Sequence, residues 1–88
     1  METGDHDTIA TDLERFLRDQ FQIGASDPFF SRTVHLWHEG YVDSAGVVQT
    51  IAYLEQRYGL ELPPDVVSDP AFTHVDGIAR LVAKLLGG

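Results

Sequence analysis

Apolar residues return at spacings of three and four in three separate stretches of this chain, and no stretch alternates apolar with polar residues for long enough to form a strand. That pattern confines the fold to helices. Ile9, Leu13, Phe16, Leu17 and Phe21 predict an amphipathic helix over residues 7–21, with Asp12, Arg15 and Asp19 turned outward. A second helix is expected from Asp43-Ser44 onward, with Val47, Val48, Ile51, Leu54 and Tyr58 on one broad face. Gly59 then supplies the left-handed C′ conformation that folds Leu60 back on Leu54. Pro63-Pro64-Asp65 opens one short turn through Val67, with Pro64 where its missing N–H costs nothing, and Asp69-Pro70 ends it. Thr73 is the expected cap of a last helix whose buried stripe is Val75, Ile78, Ala79, Val82, Leu85 and Leu86. Lys84 there suits the negative end of the dipole.

The result is an all-α fold, a small four-helix bundle of three longer helices and one short one with a long first loop. The loop, residues 22–41, holds turn residues at Gly24, Ser26-Asp27-Pro28 and Gly40. Phe29, Phe30, Val34, Leu36 and Trp37 are interspersed, as in a connection packed by its own side chains. Eighty-eight residues make one domain, 1–88, with residues 1–6 and 87–88 expected to be flexible.

Fourteen Asp and Glu against six Lys and Arg leave a formal charge of −8, which argues against nucleic acid and anionic membranes as partners. The chain has no cysteine, so it has no disulfide framework, thiolate zinc site or thiol nucleophile, and any sulfur chemistry must be borrowed. Neither a signal-like start nor an apolar run of about 18 residues is present, and a soluble, cytoplasmic monomer is expected. His35-x-x-His38 lacks the further ligands of a metal site, and His6 and His74 add none. Ser44 with His38 makes no hydrolase, because there is neither a G-x-S-x-G elbow nor a sheet to mount one; the chain is not expected to be an enzyme. Gly87-Gly88 is read as a frayed end.

The stretch Gly40-Tyr41-Val42-Asp43-Ser44-Ala45-Gly46-Val47-Val48 places a serine hydroxyl where irregular chain becomes helix. First-turn N–H groups there lack intrahelical partners and the macrodipole is positive, so a phosphate ester on Ser44 would be stabilised. Position alone also allows Asp43 or Ser44 to be only an N-cap. Gly46 costs a helix about 0.8–1 kcal/mol relative to Ala, which fits a close approach or a relaxed first turn equally well.

Gly40-x-x-Asp43-Ser44, followed by Ile51-Ala52-Tyr53-Leu54-Glu55-Gln56-Arg57-Tyr58-Gly59-Leu60-Glu61-Leu62, resembles the acyl and peptidyl carrier proteins, and the likeness extends over almost the whole chain. The resemblance implies that Ser44 is esterified by 4′-phosphopantetheine taken from coenzyme A, whose thiol carries cargo as a thioester. It also implies that Asp43 positions the serine, that Gly46 leaves space beside the tether, and that Ala45, Gln49 and Tyr53 form the docking face. The implied partners are a phosphopantetheinyl transferase and an acyl-activating or acyl-transferring enzyme, synthase or ligase.

Two departures shape the expectation. Ala45 stands where the family has a larger apolar residue, and residues 44–58 hold only Glu55 as an acid. The first bears on which partners dock and how tightly, and the second favours a specialised acyl carrier, of polyketide or related metabolism, over a fatty-acid synthase carrier. Glu39, Asp43, Glu55, Glu61, Asp65 and Asp69 remain available either to steer basic partners or simply to solvate the surface. An aminoacyl or peptidyl carrier loaded by an adenylating ligase, and a non-carrying helical interaction module, are the alternatives.

Overall fold

A computed structural model describes residues 6–24, 30–38 and 40–87. Four α-helices, α1 (His6–Gln20), α2 (Ser44–Tyr58), α3 (Pro64–Val67) and α4 (Val75–Leu85), are joined by a 3₁₀ turn, Pro70–Thr73, between α3 and α4. No strand occurs among the described residues, and no helix there is long and apolar enough to cross a membrane.

One apolar core takes side chains from every part of the chain: Ile9, Leu13 and Leu17 from α1, Phe30, Leu36 and Val42 from the first loop, Leu54 from α2, Phe72 from the 3₁₀ turn, and Val75, Ile78 and Val82 from α4. Helices α1 and α4 approach each other most closely, and α4 also packs on the 3₁₀ turn. Small buried residues allow this, Ala10 on α1 and Gly77 and Ala79 on α4. A Cβ on Gly77 would lie 1.9 Å from the carbonyl oxygen of Ala71, a backbone atom that no rotamer change can move aside.

Several sequence expectations change at the flanks of the helices. Asp12 is half-buried rather than turned outward, since it sits one turn before Phe16 on the side of α1 that faces α2. Its carboxylate accepts hydrogen bonds from the Tyr58 hydroxyl (2.8 Å) and the Arg57 guanidinium (3.2 Å). The buried line of α2 is Gly46, Thr50 and Leu54. Val48, about 200° round the helix from Gly46, is therefore 66% exposed and not part of the buried face. Leu85 is likewise exposed, at 41%, whereas its neighbour Leu86 packs against the core.

Thr73 does not cap α4. The 3₁₀ turn uses its hydroxyl on the carbonyl of Pro70 (2.8 Å), and Nδ1 of His74 accepts from the Gly77 N–H (2.8 Å) in its place. His6, expected to be flexible, is instead the first residue of α1 and bonds Asp76 at 2.8 Å. Gly87 donates to the Lys84 carbonyl at 3.1 Å, while residues 1–5 and Gly88 lie outside the described residues.

The long loop is tied down by its backbone as well as by its apolar side chains. Leu36 N–H donates to the Thr73 carbonyl (2.7 Å), and the Arg32 carbonyl accepts from the Asp76 N–H (2.8 Å). The Arg32 side chain reaches Glu14 (2.8 Å), Asp7 (2.8 Å) and the Thr11 hydroxyl (3.0 Å), all on α1. The Ser26-Asp27-Pro28 turn and Phe29 lie outside the described residues, as does Glu39. The Gly59 cap forms as expected, with φ 63° and its N–H on the Glu55 carbonyl, and α3 opens on Pro64.

Two outcomes follow for stability. Gly77→Ala is expected to destabilise by about 1–3 kcal/mol in urea unfolding, because overlap with the Ala71 backbone outweighs the gain of roughly 1 kcal/mol in helix propensity. Asp76 is held below the usual carboxylate range, first by its hydrogen bond from Arg80 and then by that from His6, and burial opposes both. Its contribution is thus present above the unfolded-state carboxylate pKa and lost as pH falls through the lower folded-state value. Asp76→Asn should cost about 0.2–1 kcal/mol at neutral pH, the range of exposed ion pairs, and the difference should vanish in acid once Asp76 is protonated.

Candidate functional site

The first turn of α2 is built by the loop that precedes it. Val42 is buried and its N–H donates to the Leu36 carbonyl (3.2 Å), while the Tyr41 ring meets Phe30 edge-on at 5.3 Å. Gly40 turns the chain through φ 82°, a region where a side chain would be strained. Asp43 then takes an extended conformation, and its Oδ1 accepts from the Gly46 N–H at 2.8 Å. Its carbonyl receives the Val47 N–H at 2.9 Å. Asp43 is therefore the N-cap.

Ser44 is the first helical residue, and that assignment frees its side chain. The residue is exposed, and among the described residues its hydroxyl has no hydrogen-bond partner. The N–H groups of Ser44 and Ala45 stand at helical positions with no intrahelical acceptor, so the hydroxyl lies at the positive end of a 15-residue helix. Gly46 does not open space beside Ser44. It is buried, and a Cβ there would lie 2.5 Å from Cγ1 of Val42 and 2.8 Å from the Phe21 ring, so its close approach is to the chain beneath the helix.

Ala45, Gln49 and Tyr53 come together at successive turns along the seam between α1 and α2. A depression of about 420 Å³, lined by Gln20, Phe21, Gly40, Asp43, Ala45 and Gln49 among others, adjoins an open groove of about 710 Å³. Phe16, Gln20, Gln49, Ala52, Tyr53, Glu55 and Gln56 line the second. The two share Gln20 and Gln49, whose side-chain amides are hydrogen-bonded across the seam at 3.3 Å. The Tyr53 ring stacks on Phe16 with centroids 4.1 Å apart and planes 10° from parallel. Burial, and then the Asp12 charge, pushes the Tyr53 phenol up; the same two influences, with a hydrogen bond to Asp12, raise Tyr58 strongly.

The α1 side of this seam was hidden in the sequence. Phe16 reads there as core and Gln20 as a helix end, and only the placement of α2 makes them one wall of a groove. Val48 joins Ser44, Ala45, Gln49 and Ala52 on an exposed face of α2 that carries no charge.

The sequence offers two further groups of side chains, the histidine pair and the acids. His35 and His38 have ring centroids 5.4 Å apart, but His35 Nδ1 already accepts from the His38 N–H (2.9 Å). Among the described residues there is no group of three or more side chains able to hold a metal ion. Of the six steering acids, Asp43 caps α2, Asp69 accepts from the Ala71 N–H (2.8 Å) and Glu55 accepts from the Leu62 N–H (2.9 Å). Glu61 and Asp65 are exposed.

Cap and hydroxyl should separate in unfolding experiments. Asp43→Ala is expected to cost about 0.5–2 kcal/mol, the range for a lost N-cap. Ser44→Ala, which removes no hydrogen bond, should stay within about 0.5 kcal/mol of the unaltered protein. Comparison of the chain with protein-family models, with curated proteins and with solved structures finds no match.

Proposed function

We propose that this chain is a carrier protein, which holds biosynthetic intermediates as thioesters on a 4′-phosphopantetheine arm attached to Ser44. The observation that carries the reading is the division of labour at the start of α2. Asp43 supplies the cap, and the adjacent hydroxyl is left exposed and unpaired at the electropositive end of the helix.

In the modification, Ser44 Oγ attacks the phosphorus of coenzyme A that bears the pantetheine. A new Oγ–P bond forms, and the P–O bond of the pyrophosphate breaks. Adenosine 3′,5′-bisphosphate leaves with the electron pair, and the hydroxyl proton passes to a base of the transferase. The resulting phosphodiester keeps a negative charge beside the free N–H groups of the first turn, where an anion gains about 0.3–1 kcal/mol. The arm supplies the thiol that the cysteine-free chain lacks.

Ser44, Ala45, Val48, Gln49 and Ala52 offer an approaching enzyme an uncharged face. Partners that recognise shape and apolar contact fit such a face better than strongly basic ones. That favours a specialised acyl carrier, of the polyketide kind, over one built for charge-driven docking.

Incubation with coenzyme A and a broad-specificity phosphopantetheinyl transferase is expected to add one phosphopantetheine, seen in the intact mass, and Ser44→Ala is expected to add none. An unmodified wild-type protein, or an adduct that survives Ser44→Ala, overturns the proposal. Loading the holo form with acyl and aminoacyl donors then separates an acyl carrier from an aminoacyl one.

A further inference from the structure

We infer that the seam between α1 and α2 is a binding groove for the pantetheine arm itself, so that the arm lies along the protein when no enzyme has taken it up. The inference rests on the carrier reading of Ser44.

Three observations support it. The first is continuity, since the near depression is lined by Asp43 and Ala45, the neighbours of Ser44, and runs into the larger groove through Gln20 and Gln49. The second is length. From Ala45 to Gln56 helix α2 rises about 16 Å at roughly 1.5 Å per residue. An extended arm has about fourteen bonds from Oγ to sulfur and spans about 16 Å, at the roughly 1.1–1.2 Å per bond of an extended peptide. The arm thus fills the groove and leaves its sulfur at the open end near Gln56.

The third is chemistry. Between phosphate and sulfur the arm is uncharged and carries two secondary amides, a hydroxyl and apolar methyl and methylene groups. The groove answers the amides and the apolar groups. Of its two carboxylates, Asp43 Oδ1 accepts from the Gly46 N–H and Glu55 Oε2 from the Leu62 N–H. The bond between Gln20 Nε2 and Gln49 Oε1 leaves the Gln20 carbonyl and the Gln49 NH₂ group without partners among the described residues. Those two groups offer one acceptor, for the N–H of one of the arm's amides, and one donor, for the carbonyl of the other. Beyond them the stacked rings of Phe16 and Tyr53 give an apolar surface for the methylenes.

The test compares ¹⁵N-labelled apo protein with protein pantetheinylated by coenzyme A and a broad-specificity transferase, and carries no cargo. Expected are shifts of the Gln20 and Gln49 side-chain amides and of the Ala52 and Tyr53 backbone amides, with NOEs from the arm's methylenes to the Tyr53 ring. Gln20→Ala, on α1 and outside the face offered to the transferase, should accept the arm equally by mass yet lose the shifts at Ala52 and Tyr53. A fully modified protein whose changes stop at residues 43–47, or a Gln20→Ala protein with all shifts retained, overturns the groove while the carrier reading stands. Failure of wild type to gain the adduct overturns both.

Discussion

Where α2 begins, Gly46 lies so near Phe21 and Val42 that any side chain there would overlap both. This contact sets how the helix leaves the loop. With the first turn pressed onto Phe21 at the end of α1 and onto the buried Val42, the opposite side of that turn must face solvent, and Ser44, about 200° round the helix from Gly46, is there. The glycine that looks expensive for a helix is what seats the helix, and the exposure of the hydroxyl follows from that seat.

The loop can deliver α2 to this position because it is itself fixed. Arg32 binds three side chains of α1 through one guanidinium, and its carbonyl holds the first turn of α4. Asp7 and Glu14, through their hydrogen bonds to Arg32 and then their charge, raise its pKa further, so the clamp stays charged over any accessible pH. Leu36, buried and bonded to the 3₁₀ turn, adds an apolar anchor one residue from Trp37, whose ring lies 6.4 Å from Phe72. A connection of this length is thereby made part of the core rather than a tether.

Unequal spacing between helices gives the molecule its groove. Small residues let α1 and α4 come close, whereas α2 meets α1 through long side chains: the Phe16–Tyr53 stack, the Asp12 contacts to Tyr58 and Arg57, and the Gln20–Gln49 bridge. Long side chains span a wider gap than they fill. The seam therefore stays open along α2, beginning at the residues beside Ser44.

Much of this was legible in the chain of residues. The all-helical character, the limits of α2, the Gly59 cap and the Pro64 start of α3 depend on local periodicity and backbone chemistry, which act over a few residues and can be read there. So could the presence of a serine at the start of α2. What locality could not supply was which neighbour would meet each flank. Asp12 became a half-buried acceptor because Tyr58 came to lie against it, Thr73 lost the cap to His74 because a 3₁₀ turn used its hydroxyl, and Val48 faced outward because Gly46 and Thr50 took the inward line. The sequence by itself determined the helices and the hydroxyl. Only the tertiary structure decided that Asp43 caps while Ser44 stands free, and that Gln20 of α1 closes a groove with Gln49 of α2, because both depend on the distance and rotation of one helix against another.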